Sequence, residues 1–495
     1  MRITASQIVT LWLCSVLWRH ASSAVCPYTE CSCAEVEIEC QNKGLKAIPH
    51  LVSGFSSSYN DLIFGINSIS TVPAGSLPPN LQSLSFVSNP ITTIDKTALQ
   101  ASANSLKSLY FSKALFTKIP DAMLQLQTLT TFSISDTSIQ DWNEDVLKQL
   151  GRTVTSLTID NTNLTTWPSW LQHFPYLQEL SIDNNMISDV PDGALDLVAG
   201  TLMSFSQDGN KLKAIPQALS TLTSLQTLSM IENSISDTLN LPTESQLMIL
   251  TLSSNTISDD EQLSLALQAY ADSLHDIGLD NNKLTKVPDL SFLNEIEQLD
   301  LSHNLISDST SGSIPNNLYD IDIGYNLLPY IPSVLSHLHS AVELNLPWNS
   351  VRELRGTDIS SSVTSVDLTH NLITRLTAAS FPAVTGIEYL RLSNNPITSI
   401  STDAFTSLHS LTELYLVSAK LARVPLALSS LKNLKVLDLT DNRSLVCTCV
   451  EHGLEPWTRT FYEANLRGSC GLISVFQFFR TLSPGCPKDS SAVVV

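Results

Sequence analysis

The sequence predicts an α/β solenoid: short parallel strands stacked into one concave sheet, an irregular or short-helical convex side, and ends closed by disulfides. Three observations carry this prediction. One phrase recurs along almost the whole chain, most clearly at Leu81–Ile91 (LQSLSFVSNPI), Leu247–Ile257 (LMILTLSSNTI), Ile296–Ile306 (IEQLDLSHNLI) and Ile387–Ile397 (IEYLRLSNNPI). An asparagine returns at the same slot of that phrase, roughly every two dozen residues. Apart from Cys14 near the start, the cysteines fall only before the first repeat and after the last.

The strand comes first in each repeat. The phrase reads L-x-x-L-x-L-x-x-N-x-L, with Ile, Val or Phe in some Leu slots, which is the signature of a leucine-rich repeat. Its apolar fourth and sixth positions alternate, so both point to one side of a short strand. One repeat cannot bury that side alone, whereas stacked repeats bury a continuous core.

The ladder follows the strand. The slot is filled by Asn67, Asn89, Asn185, Asn210, Asn233, Asn255, Asn282, Asn304, Asn326, Asn349, Asn371, Asn395 and Asn442. An amide turned inward here satisfies backbone groups that would otherwise be buried and unpaired. Ala114, Thr137, Thr162 and Ala419 substitute for it, which predicts a weaker ladder over residues 105–165.

Most repeats then turn at an apolar-Pro pair, such as Ile119-Pro120, Ile215-Pro216, Ile331-Pro332 and Val424-Pro425. Proline suits such a turn because its φ is fixed and it needs no acceptor. On the convex side, Ser258-Asp-Asp-Glu261 reads as a capping box opening a helix. Residues 143–150 (NEDVLKQL) are a second helix candidate.

A chain of 495 residues usually splits into domains. A solenoid need not, because each repeat contacts only its neighbours. The expected organisation is a signal peptide at 1–24, an N-terminal cysteine-rich cap at 25–50 and repeats over 51–442, about 17 of them. A C-terminal cap at 443–486 and a short tail at 487–495 follow. Arg2, an apolar stretch from Ile8 to Trp18 and Ser22-Ser-Ala24 read as a cleaved secretory leader. No later segment is long enough to span a membrane. Eight cysteines remain, four at each end, an even set that reads as disulfides in a secreted protein. Metal ligation by Cys447 and Cys449 is the weaker alternative. The formal charge of −20 becomes −22 once Arg2 and Arg19 leave with the leader. That argues against nucleic acid and anionic membranes, and permits a basic partner or calcium.

The ends carry a family resemblance. Cys26-x4-Cys31-x-Cys33-x6-Cys40 followed by GLKAIP is similar to the N-terminal cap of extracellular leucine-rich repeat proteins. Cys447-x-Cys449, Trp457, Cys470-Gly471 and Cys486 resemble the matching C-terminal cap. Slit, the small leucine-rich proteoglycans, chaoptin-like adhesion proteins and Toll-type ectodomains share these parts. The resemblance covers essentially the whole mature chain. It implies Cys26–Cys33, Cys31–Cys40, Cys447–Cys470 and Cys449–Cys486 bridges, although the sequence alone allows other pairings. The usual Asn-Pro-Trp or Asn-Pro-Phe lead into the second cap is here Asn442-Arg-Ser-Leu445. Members of this group bind such different ligands that the resemblance implies binding and nothing narrower.

A partner is expected on the third, fifth and seventh positions of the phrase, which face outward on the concave side. That face is acidic and concentrates acids in a patch of Asp276, Asp280, Asp300, Asp320, Asp322, Glu343 and Asp367, with Arg391 as its only base. Asp300 with Asp322, and Asp320 with Glu343, hold the same position on adjacent strands and repel, at roughly 1 kcal/mol per pair in water. A solvated acidic face is the plainer reading. A second candidate surface is Tyr389, Arg391, Glu413 and Tyr415, since Tyr and Arg are favoured binding anchors.

Catalytic motifs are missing. There is no Gly-rich phosphate loop, no G-x-S-x-G and no H-E-x-x-H. His303 and His370 share the slot before the ladder asparagine but stand three repeats apart, so no enzyme, cofactor or metal site is expected. Of two glycosylation sequons, Asn163 is the exposed one, and Asn442 is a ladder residue. The expected function is binding of an extracellular protein or glycan, in matrix organisation, adhesion or guidance. A soluble immune-recognition protein and an acidic matrix protein that binds calcium or mineral are the alternatives.

Overall fold

The computed structural model describes residues 25–56, 59–340 and 343–486. The leader and the C-terminal tail lie outside these residues. The chain forms two compact units: residues up to Asn163 with Trp170–Leu177, and Leu164–Ser169 with residues from Gln178 onward.

In the first unit a hairpin of Ser32–Ala34 and Glu37–Glu39 starts the sheet, and its second strand pairs in parallel with Asp61–Ile63. Ser83–Phe86, Ser108–Ser112, Thr131–Ser135 and Ser156–Asp160 follow in parallel register. The sixth positions of these repeats carry Phe64, Phe86 and Phe111, stacked 5.6 and 5.7 Å apart and fully buried. Tyr28 of the cap ends this stack 5.7 Å from Phe64, and its hydroxyl donates to the Ser76 carbonyl at 2.7 Å. The cap therefore covers core that a last open repeat would expose.

The second unit repeats the same step in Glu179–Ser181, Ser204–Ser206, Thr227–Ser229 and Ile249–Thr251. Asp276–Gly278, Gln298–Asp300, Asp320–Asp322, Glu343–Asn345 and Ser365–Asp367 continue it. Tyr389–Arg391, Glu413–Tyr415, Val436–Asp438 and Leu466–Arg467 complete it. The fourth positions lie in one buried row, from Leu250 through Ile277, Leu299 and Ile321 to Leu437. All four disulfides join the pairs that the family resemblance implies. The chain is a capped leucine-rich repeat solenoid built on a parallel sheet.

The asparagine slot works as the sequence analysis expects. Asn304 Nδ2 donates to the Leu279, Leu301 and Ser302 carbonyls at 2.9–3.1 Å, and its Oδ1 accepts from Leu284 N at 3.0 Å. Where alanine replaces it, the ladder breaks. Ile91 N and Ile397 N, which would face an amide oxygen at Ala114 and Ala419, fold back onto the Asn89 and Asn395 carbonyls. Thr137 restores one bond, accepting from Ala114 N at 3.1 Å.

The proline turns lead into short 3-10 helices at Asp121–Gln125, Gln217–Thr221, Ser333–His337 and Leu426–Ser430. Residues Glu144–Leu150 and Asp260–Leu267 are α-helices. The cap of the second helix differs from expectation by one residue. Asp259, rather than Ser258, accepts from Gln262 N, at 2.9 Å.

Candidate partner-binding surface on the strand face

The acidic patch lies within the second unit, and the sheet register explains its density. An outward acid on one strand faces the same position of the next, so Asp300 pairs with Asp322 at the fifth position and Asp320 with Glu343 at the third. Gly278 has no side chain at the fifth position of its strand, where Thr251 Cγ2 and Ser253 Oγ already crowd the place of a Cβ, and it lines a notch beside Asp300. A cleft of about 270 Å³ opens there, lined by Asp276, Asp300, Asp320 and Asp322 with Gln298 and Asn345. The cleft thus gathers four of the seven predicted acids. Glu343 stands exposed beside them.

Asp280 and Asp367 do not line this cleft. Asp280 accepts from the Ser253 hydroxyl, and Asp367 accepts from Thr369 N at 2.8 Å while facing Arg391 in register. The fold also makes more use of these acids than the sequence analysis allows. Asp300 and Asp322 each accept from the backbone N–H two residues on, Ser302 at 2.8 Å and Gly324 at 2.7 Å. These bonds fix the exit of the strand, as Asx turns do. Fifth-position aspartate is therefore partly a structural choice.

The electrostatic cost is still visible. Burial, then Glu343 and Asp300, hold the Asp320 carboxyl above the usual carboxylate range. Burial does the same for Asp322, with Asp300 and Asp320 adding to it and the Gly324 N–H opposing it. Asp320 Oδ1 is buried with no hydrogen-bond partner among the described residues. Among those residues no three His, Cys, Asp or Glu side chains are grouped to hold a metal ion.

The second predicted cluster is assembled but largely self-contained. The Tyr415 hydroxyl donates to Glu413 Oε2 at 2.7 Å, which pushes its phenol up, and the Arg391 guanidinium lies 5.9 Å from the Tyr415 ring centre. Tyr389 is exposed at the adjacent strand. Asn163 is exposed and donates to the Ser138 hydroxyl at 2.5 Å. The Asn442 amide is buried and spent on the Leu416, Leu439 and Thr440 carbonyls.

Sequence reasoning missed one feature of this surface. The slot before the ladder asparagine carries His303, Tyr325, Trp348 and His370 in four consecutive repeats. Their rings stack nearly parallel, with centroids 4.0, 5.7 and 3.7 Å apart and planes within 14°. The local backbone puts them there. Each of the four has a left-handed φ between 53° and 56°, and each N–H donates to the carbonyl of the next repeat at 2.8–3.0 Å. Reading the eighth position down the repeats would have found them, because His303 and His370 are joined by the two aromatics between them.

A leucine rich repeat family model matches residues 361–421. No curated protein sequence matches the chain. Among solved structures, the chain is similar to a leucine-rich repeat protein of Leptospira interrogans, at 24% identity and a TM-score of 0.53, over 67% of this chain and 88% of that one. It is also similar to YopM from Yersinia enterocolitica, at 19% identity and a TM-score of 0.50, over 83% and 86% of the two chains. These likenesses bear on the fold alone.

Proposed function

We propose that this chain, a leucine-rich repeat protein closed by cysteine-rich caps, is secreted and binds a basic protein partner outside the cell through the strand face of its second unit. One observation carries the reading. Four aspartates converge on the Gly278 notch, two of them held above their ordinary pKa. A lysine or arginine from a partner would relieve that repulsion, so complementary charge is rewarded twice, by attraction and by relief. The disulfides at both ends suit an oxidising compartment. No helix among the described residues is long and apolar enough to cross a membrane. Asn163, exposed within its sequon, is proposed as the glycosylated residue.

The test compares the native protein with Asp300→Asn, Asp320→Asn and Asp322→Asn combined. Asparagine keeps the acceptor for Ser302 N and Gly324 N, so the strand exits survive. Both proteins are screened against arrayed secreted and cell-surface proteins. Partners are expected to present basic patches, to bind more weakly in added salt, and to lose about tenfold or more in affinity for the triple variant. Partners that bind the two proteins equally would overturn the assignment of the acidic face.

A further inference from the structure

The backbone does not demand the aromatic row, since the same left-handed slot holds Ser88, Lys113, Glu232 and Ser254 in other repeats. Asparagine or glycine fills the same slot at Asn184, Gly209, Asn281 and Asn394, all with positive φ. Those residues tolerate the left-handed region, whereas bulky side chains there cost of order 1 kcal/mol or more. Tyr325 and Trp348 accept that strain and remain 45% and 47% exposed. Beyond the ladder asparagine, Leu305, Leu327 and Leu372 are also 44–53% exposed. The result is a contiguous ridge about four repeats long, roughly 14 Å at the spacing of neighbouring strands. It shares its repeats with the acids. Asp300 precedes His303 and Asp322 precedes Tyr325 by three residues, as Asp367 precedes His370.

We infer that this ridge is a docking edge for a protein segment that alternates apolar with basic side chains, an inference that rests on the basic-partner reading above. The apolar side chains would cover the exposed ring edges and leucines, and the basic ones would reach the fifth-position acids. Exposed Trp and Tyr are favoured interface anchors, and the leucines extend them into a contiguous apolar patch rimmed by acids, as interaction sites have. The stacking also selects against a sugar. A sugar ring packs on an open aromatic face, but within the row each face meets its neighbour. Even the widest step, 5.7 Å, is narrower than the roughly 7 Å needed to insert a flat group at van der Waals contact.

The test is calorimetric titration of the disulfide-intact full chain with eight-residue peptides of alternating Leu-Lys, Ser-Lys and Leu-Glu. The Leu-Lys peptide should bind about tenfold more tightly than either other peptide. Trp348→Asn and Tyr325→Asn place the slot's own common residue there, so the fold should hold, as circular dichroism and melting would register. Each should weaken Leu-Lys binding about tenfold while leaving Ser-Lys binding unchanged. The acidic triple variant should weaken both lysine peptides alike. Equal affinity for Leu-Lys and Ser-Lys, or no effect of Trp348→Asn, would overturn the ridge while leaving the acidic-face reading intact. Loss with Trp348→Asn but not with the triple variant would support the ridge and overturn that reading. Tight Leu-Glu binding, or self-association in sedimentation that Trp348→Asn removes, would overturn the basic occupant.

Discussion

Gln207 occupies a core slot that its neighbours fill with Ile182 and Met230. It is fully buried, and neither Oε1 nor Nε2 has a partner among the described residues. Its backbone is satisfied, since its N–H donates to the Ser229 carbonyl and its own carbonyl accepts from Asn233 at 2.8 Å. The strain therefore sits in the amide alone. An unpaired buried amide costs about 1–3 kcal/mol, whereas leucine at this slot would bury its side chain like the rest of the row. Gln207→Leu is expected to raise the unfolding free energy by roughly that amount, measured by denaturant titration. A fall in stability would mean that an internal water satisfies the amide. The ladder shows the same logic already solved: where Ala419 removes an acceptor, Ile397 N finds the Asn395 carbonyl instead.

Strands, ladder and proline turns were all legible, because each follows from a short-range pattern that stacking then reinforces, whereas the cap disulfide pairing followed from the family resemblance and not from the spacing. The convex helix was legible as an element but not in its first residue. Ser258 and Asp259 are both good caps, and only the helix phase decides between them. Asp259 takes the position, with its carboxylate on Gln262 N and with Asp260 and Glu261 in the first turn. Asp259→Ala should therefore cost about 1 kcal/mol, and Ser258→Ala less than about 0.5 kcal/mol, in the same denaturant titration. The reverse order would restore the sequence-based cap. The site was half legible for a related reason. Acids were found by reading outward positions along each strand. The Gly278 notch and the ring row emerge only when columns are read across repeats, since neither is local to one phrase. The structural use of Asp300 and Asp322 was hidden as well, because their bonds to Ser302 N and Gly324 N depend on the strand exit turning back.

Across the whole molecule, the acidic surplus gives stability an unusual dependence on pH. Asp208, Asp320 and Asp322 all have carboxyls raised above their ordinary 3.8, with burial as the largest cause in each. A raised group keeps its proton longer in the folded state than in the unfolded one. Its contribution is therefore present below the unfolded value and is lost as pH rises through the folded value. Asp308 runs the other way. Hydrogen bonds from Ser311 and Thr310 lower it to about 2, so its contribution is present above 3.8 and is lost as pH falls towards 2. The two trends together place the stability maximum on the mildly acidic side. Asp320→Asn with Asp322→Asn should remove most of the decline towards neutrality. The variant's gain should be near zero below pH 3.8, grow through the raised values, and level off by pH 7. Its size should be roughly 1 kcal/mol before solvent screening, and less in practice because both carboxyls remain partly exposed. Added salt should shrink it further. Thermal melts of both proteins across pH 3–8 would read it directly. A gain that is constant with pH would mean that packing, rather than charge, distinguishes the variant, and the notch would lose its claim to attract a cation.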